Sequence, residues 1–258
     1  MLMKSFRFGA LLAILGFFAG STMEANAADE NTTESRAIDA RVVRVKLDGV
    51  IDLKLRRGDT PSLTVTGDKR YVAKITTVQA GDTLHLDSES HGFKFGRNTV
   101  KAELVLPSLR ELVSEGVGTT DVSGFSGDEI QLTLDGAGSM KVSCDYRNIR
   151  ANLGGVGNMH VWAADNDSIE LDLQGAGYIT LGGRSKTLKA SLGGLGGLNA
   201  QQFQADSVTI DLSGLGNATV TAKQNATLSL SGLGSVTVYG QPQNRNVSVD
   251  GLGKVRWK

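Results

Sequence analysis

Apolar and polar residues alternate along most of the chain from Arg41 onward. The stretch Ser207-Val208-Thr209-Ile210-Asp211-Leu212 is representative, because every second residue is aliphatic. Period-two alternation rich in β-branched residues is typical of strands with one buried face. Similar runs begin near Val43, Val50, Leu63, Thr83 and Lys101. The pattern predicts an all-β chain, in which the only helical element is a short turn around residues 68–71.

One sequence motif repeats along the C-terminal half of the chain. It consists of an apolar residue, any residue, Gly, a small apolar residue and Gly, followed by alternating polar and apolar residues. Two clear copies are Leu212-Ser213-Gly214-Leu215-Gly216 and Leu230-Ser231-Gly232-Leu233-Gly234. The first glycine recurs every 18 to 20 residues, at Gly116, Gly136, Gly155, Gly175, Gly194, Gly214, Gly232 and Gly251. A period this short, with strands and no helix, predicts a parallel β-helix, or β-solenoid, with coils of about 19 residues.

The glycines mark a corner of each coil. Glycine permits positive φ and lets stacked backbones approach closely. A phosphate-binding glycine loop is a poor match, because a strand rather than a helix follows each copy. The residue between the two glycines is always apolar, and we expect it to form an internal ladder; the alternative is an exposed stripe that marks a partner site. These residues are Val117, Ala137, Val156, Ala176, Leu195, Leu215, Leu233 and Leu252.

The N-terminus has the features of an export signal. Lys4 and Arg7 precede an apolar run, and Ala25-Asn26-Ala27 offers a cleavage site, so residues 1–27 are predicted to be a signal peptide. We expect residues 28–38 to form a flexible leader and residues 39–113 an irregular β region that caps the solenoid. Residues 114–258 form the eight-repeat solenoid in one continuous domain with that cap. Ser88 to Asn98 is a predicted projecting loop.

Composition narrows the function classes. The formal net charge is zero and aromatic residues make up 5% of the chain, which argues against nucleic acid as a partner. Cys144 is the only cysteine, so no internal disulfide is expected, and we interpret it as a buried or turn thiol. After removal of the signal peptide we expect no membrane span.

The sequence resembles the bacterial GIN-domain proteins, described as autotransporter adhesin heads. The resemblance rests on Val105-Leu106-Pro107-Ser108-Leu109, on the repeated Leu-x-Gly-x-Gly phrase, and on Val238-Tyr239-Gly240 followed by Gly251-Leu252-Gly253. It covers most of residues 40–258. It implies an exported β-helix-like domain, periplasmic or on the cell surface, with no established chemistry.

The outward row of the second strand in each coil is the candidate binding site. Its side chains can form hydrogen bonds at regular spacing, and they are Lys141, His160, Thr180, Asn199, Thr219 and Thr237. We hypothesise that this row binds an envelope glycan or a surface protein; the alternative is a solubilising face. Binding of this kind would make the protein a non-enzymatic, adhesin-like or scaffolding domain.

Motifs for catalysis or metal binding are weak. His85, His91 and His160 are far apart and match no metal-ligand spacing, so we expect no metal, cofactor or catalytic residue. Asp172 and Asp211 are predicted to lie about 10 Å apart, two coils from each other. That separation is close to the long limit for an inverting pair, and the alternative function is therefore a polysaccharide lyase or hydrolase.

The last predicted coil is basic. Lys254, Arg256 and Lys258 resemble charged gatekeepers of an open sheet edge, and Trp257 resembles a plug of the core end. We therefore expect a monomer or small oligomer rather than a fibre.

Overall fold

The computed structural model describes residues 31–88 and 100–258, which form one sheet of 17 strands with a single short helix. The predicted signal peptide, His91 and residues 89–98 of the predicted loop lie outside the described residues. In chain order the elements are β1 Asn31–Arg36, β2 Arg44–Leu47, β3 Ile51–Arg57, β4 Ser62–Asp68, α1 Lys69–Val72, β5 Ile75–Ala80, β6 Thr83–Ser88, β7 Val100–Leu106, β8 Glu111–Ser114, β9 Val117–Leu134, β10 Ala137–Leu153, β11 Val156–Leu173, β12 Ala176–Leu192, β13 Leu195–Leu212, β14 Leu215–Leu230, β15 Leu233–Tyr239, β16 Asn244–Val249 and β17 Lys254–Trp257.

The predicted β-solenoid is confirmed. Each of β9 to β14 spans a whole coil of 16 to 18 residues and pairs in parallel with the coils before and after it. The sequence suggests two strands per coil, but each coil is one continuous strand that breaks only at the glycine corner. The pairing register shifts within the coils, as between Thr180 and Gly182. The seventh coil is divided between β15 and β16, which both pair with β14.

The core consists of aliphatic columns that run along the solenoid axis. Leu153, Leu173, Leu192, Leu212 and Leu230 are in register with one another and are all buried. A single coil has no second layer to cover its apolar side chains, so each coil depends on its neighbours for burial. Stability is therefore built up coil by coil.

A coil that the repeat does not reveal lies ahead of Gly116. Strands β2 and β3 stack in parallel on β8 and β9, and Val50 bridges to Val117. The stretch Asp48-Gly49-Val50 therefore forms the same corner as Glu115-Gly116-Val117. The amide of Val117 donates to the carbonyl of Gly49, as expected for stacked corners.

The N-terminal end of the solenoid is covered by antiparallel strands. Strands β6 and β7 form a further level beneath β2 and β3. Antiparallel β5 then pairs with β6, and β4 with β7. The helix α1 begins after Asp68, whose carboxylate accepts a hydrogen bond from the amide of Arg70, in agreement with the predicted turn.

The prediction of a flexible leader over residues 28–38 is wrong for Asn31–Arg36. This segment is β1, which pairs antiparallel with β4. Its residues are mostly exposed, so hydrophobic periodicity gives no signal for it. The guanidinium of Arg36 holds the end of the strand, because it donates to the carbonyls of Ile75 and Val72 and to the hydroxyl of Thr77.

The first glycine of each corner is required by close approach between coils. A Cβ on Gly194 would lie 2.0 Å from the carbonyl oxygen of Gly175, and one on Gly214 would lie 2.2 Å from that of Gly194. Neither glycine has a positive φ. Positive φ occurs instead at some second glycines, such as Gly196 with a φ of 140°.

The expected internal ladder between the two glycines is wrong. Leu195, Leu215 and Leu233 are about half exposed, at 56%, 49% and 52%, and Leu252 is 81% exposed. At each corner, backbone amides donate hydrogen bonds to the preceding coil. For example, the Gly194 amide donates to the carbonyl of Leu173, and the Leu195 amide donates to the carbonyl of Gly175. The corner is thereby held flat against that coil, and its aliphatic side chain points outward.

The C-terminal strands carry two cation–π contacts. The Arg245 guanidinium lies 4.4 Å from the centre of the Trp257 ring, and the Lys258 ammonium lies 5.6 Å from that of Tyr239. Trp257 also packs against the core while remaining partly exposed. In the described ranges, no helix has the length and hydropathy required to cross a membrane.

Candidate functional site

The predicted row of outward residues forms an aligned column. Each member pairs with the next across the parallel strands, from Lys141 to His160, Thr180, Asn199, Thr219 and Thr237. Asp121 extends the column at one end and Arg256 at the other. Parallel strands are spaced by about 4.8 Å, so the column from Lys141 to Thr237 is roughly 24 Å long. We call this column the ladder and the surface around it the ladder face.

The ladder is polar and solvated along its length. Lys141, His160 and Asn199 are exposed, whereas the three threonines are partly buried between their neighbours. Charge is concentrated at the ends, with Asp121 and Lys141 at one and Arg256 at the other. The four positions from Thr180 to Thr237 carry only hydroxyl and amide groups. Such a surface can donate and accept hydrogen bonds without selecting strongly for a charged ligand.

An exposed tryptophan stands on one side of the ladder. Trp162 is two residues beyond His160 on the same strand and is 56% exposed. Its indole lies over Gly182 of the next coil, where a Cβ would come within 2.2 Å of ring atoms Cε3 and Cζ3. Gly182 is itself buried. The glycine thus provides a seat that lets the ring lie against the sheet.

A tyrosine stands on the other side in the same manner. Tyr178 is two residues before Thr180 and is 52% exposed. A Cβ on Gly197 of the following coil would lie 3.3 Å from its Cε1 atom. The Cα atoms of Trp162 and Tyr178 are separated by four residues and one strand, which corresponds to about 14 Å.

The two aromatic residues border connected shallow grooves. The groove at Trp162 has a volume of about 590 Å³ and includes Lys141 and Ser143. The groove at Tyr178 has a volume of about 480 Å³ and includes Asn158 and Asn217. His160 and Thr180 line both. The ladder face is therefore one open surface that suits an extended ligand better than an enclosed small molecule.

Sequence reasoning predicted the ladder but missed the two aromatic residues. The low aromatic content gives no indication of them, yet Trp162 and Tyr178 occupy outward positions of the same strands as His160 and Thr180. Within residues 31–88 and 100–258 they are the exposed aromatic side chains. Their place in the alternation is the signal that could have found them.

The two aspartates considered for hydrolysis lie on another face. Asp172 pairs with Ser191, which pairs with Asp211, so one strand separates them as predicted. The Asp172 carboxylate accepts a hydrogen bond from the Gln174 amide at 2.7 Å. The groove beside Asp172 has a volume of about 210 Å³, and Asp211 is not among its lining residues. The pair thus does not share a cleft.

Metal-binding clusters are likewise not found in the part of the chain that the structure describes, where no three His, Cys, Asp or Glu side chains group together. His85 is exposed on β6, and His160 lies in the ladder.

Cys144 is buried on β10. Burial, with a smaller contribution from Asp145, raises the pKa of its thiol to about 12. Because the thiolate is the reactive form, the folded protein should resist a maleimide reagent at pH 8 and react fully once unfolded in urea. Rapid labelling of the folded protein would contradict this placement of the thiol.

A family model described as "Putative auto-transporter adhesin, head GIN domain" matches residues 43–242. This agrees with the family that the repeated phrase indicates. No curated protein sequence matches the chain.

Solved structures share the fold. A putative adhesin from Parabacteroides distasonis has a TM-score of 0.81 at 22% identity, and the match covers 89% of this chain and 97% of that chain. A putative adhesin from Parabacteroides merdae has a TM-score of 0.80 at 21% identity, with 89% and 96% covered. A putative lipid binding protein from Parabacteroides distasonis has a TM-score of 0.76 at 20% identity, with 87% and 96% covered. These likenesses concern the fold.

Proposed function

Since the chain belongs to the GIN-domain family of adhesin heads, we propose that it is an exported, non-enzymatic domain that binds an envelope glycan on its ladder face. Trp162 and Tyr178, exposed on either side of the ladder near His160 and Thr180, are the observation that carries this proposal. Family membership supports an envelope or surface location.

The chemistry of sugars suits this surface. A pyranose ring has an apolar face of C–H groups and a rim of hydroxyl groups. An aromatic ring with an exposed face offers apolar contact to the former, and threonine, asparagine and histidine side chains can bond the latter. Trp162 and Tyr178 supply the first kind of contact, and Thr180 and Asn199 the second.

The geometry favours a chain of several sugars. The aromatic residues are about 14 Å apart along a diagonal of the face, which exceeds the size of one sugar ring. A ligand that touches both must pass over His160 and Thr180. Individual contacts on an open surface are weak, so affinity would come from repetition along the polymer and from several copies at a cell surface.

A non-enzymatic role is supported by the side chains around the ladder. Glycoside hydrolysis requires two carboxyl groups that face each other across the scissile bond. The ladder face has Asp121 near one end, and Asp172 and Asp211 lie on another face without a shared groove. We therefore favour binding over hydrolysis.

Replacing Thr180, Asn199 and Thr219 together by Ala should weaken glycan binding strongly. The wild type and this triple variant would be compared on a glycan array and in pull-downs with purified cell-wall polysaccharide. The loss of three hydrogen-bonding side chains from a weak site should reduce the signal at least tenfold.

The matched control places alanine at Asn152, Thr209 and Thr227, which are polar residues of two outward rows on another face. This control should bind like the wild type. Equal binding by the ladder variant and the wild type would contradict the proposal. A wild type that binds purified surface proteins but binds no glycan would also contradict it.

A further inference from the structure

The coil corners form a second distinctive surface. Val156, Ala176, Leu195, Leu215, Leu233 and Leu252 project from successive corners and form what we call the leucine ridge. Beside it runs a glycine trough, whose floor is Gly175, Gly194, Gly214, Gly232 and Gly251. The trough has a volume of about 580 Å³, and Gln174, Gly193, Ser213 and Ser231 form its far wall.

We propose that the leucine ridge and glycine trough bind the same surface of a second copy of this chain, with a two-fold axis along the solenoid. The ridge lies on one side of each corner and the trough on the other, and a rotation of 180° about this axis swaps the two sides in the second copy. The ridge of each copy then faces the trough of the other, and every coil meets its own equivalent. The contact is isologous, so it closes as a pair and does not propagate into a fibre.

The repeat distance identifies a second copy as the occupant. Ridge residues recur once per coil, at about 4.8 Å. The trough of a second copy has the same repeat distance, so it can accept all of the ridge residues at the same time. An α-helix advances about 5.4 Å per turn, so its side chains would drift by roughly 3 Å over the five steps from Val156 to Leu252. A second solenoid has the required spacing by construction.

The charges also permit this contact. The trough wall is uncharged from Gln174 to Ser231, and the nearest carboxylates in that row belong to Asp135 and Asp250 at its ends. No like charges face each other over the central four coils. An apolar stripe with an uncharged border is typical of a protein contact.

The contact area predicts a weak pair. Ridge and trough together are about 24 Å long and roughly 10 Å wide, or about 240 Å² per copy. A standard interface buries about 800 Å² per partner. The pair should therefore form at high local concentration, as on a crowded surface, and separate on dilution.

Sedimentation velocity over micromolar to millimolar concentrations tests the proposal. The wild type should shift from monomer to dimer. The variant Leu215→Ser with Leu233→Ser should raise the dissociation constant at least tenfold, and Ser213→Lys with Ser231→Lys should do the same by filling the trough with charge. Val78→Thr, which changes an aliphatic residue of β5 that is 56% exposed, should dimerise like the wild type.

Crosslinking tests the orientation. Under oxidation, the variant Val156→Cys should form a disulfide between the two copies at this position, because the copies run in the same direction and equivalent coils meet. A wild type that stays monomeric throughout, or a dimer that both variants leave intact, would overturn the proposal. Ridge-dependent binding to phosphatidylcholine vesicles by a monomeric wild type would also overturn it and would assign the ridge to a lipid surface.

Discussion

Gly194→Ala should lower the free energy of unfolding by about 3–5 kcal/mol, whereas Gly193→Ala should change it by less than about 1 kcal/mol. The two glycines are neighbours at one corner, and neither has a positive φ. What differs is the atom that the new methyl group meets. A Cβ on Gly194 would lie 2.0 Å from the main-chain oxygen of Gly175.

That clash cannot be relieved by a change of rotamer. The two coils would have to separate, which weakens the hydrogen bond from the Leu195 amide to the Gly175 carbonyl. A Cβ on Gly193 instead meets the end of the Gln174 side chain, with Oε1 at 2.4 Å. Gln174 is exposed and can swing away into solvent.

Urea unfolding followed by circular dichroism would measure both variants. The comparison removes the general effect of Gly→Ala on the unfolded chain, because both variants share it. Equal stability of the two variants would show that close approach between coils is not the reason for the repeated first glycine.

Leu212→Ala should cost about 2–5 kcal/mol. Leu212 is buried and lies in register between Leu192 and Leu230. Truncation leaves a cavity that touches the coils on both sides, and the solenoid has no second layer to collapse into it. The column is interrupted at one level, so the coils beyond it lose part of their support.

Asp211→Ala is the matched control, because Asp211 precedes Leu212 on the same strand but points outward. It should change the free energy of unfolding by less than about 0.5 kcal/mol. Thermal and urea unfolding would measure both variants. A cost below about 1 kcal/mol for Leu212→Ala would contradict a core that is built from continuous leucine columns.

The regular coils could be predicted because one physical rule repeats in them. Each coil needs a glycine where backbones meet and aliphatic residues at alternate positions, and both are visible in the sequence. The coil at Gly49 was missed because 67 residues separate Gly49 from Gly116. Strands β3 to β8 occupy that interval, so proximity in the fold leaves no regular spacing in the sequence.

The ladder could be predicted from alternation alone, since outward positions of parallel strands in register must align. The glycines beneath the two aromatic rings could not be predicted, because they depend on which residue lies opposite each ring in the next coil. Gly182 opposes Trp162 only through the register of β11 and β12. The direction of the ridge side chains depends on the geometry of the corner. An apolar residue between two glycines is compatible with both an inward and an outward side chain, so the sequence does not decide between them.

The fold does not determine the ligand. Aliphatic columns and glycine corners specify how the coils stack, and they would do so with other outward residues. Recognition must therefore come from side chains that the fold leaves free, chiefly Trp162, Tyr178 and the ladder. The ridge is a separate surface, so pairing of two copies would leave the ladder face open to a ligand.

Isothermal titration with the strongest ligand from the glycan array tests the central claim most directly. The proteins to compare are the wild type, the variant Trp162→Ala with Tyr178→Ala, and Val78→Thr as the control for loss of an exposed apolar side chain. Aromatic residues at the centre of a contact often contribute more than 1 kcal/mol each. The ladder-face account predicts at least tenfold weaker binding by the double variant and unchanged binding by the control. Wild-type affinity in the double variant would contradict it.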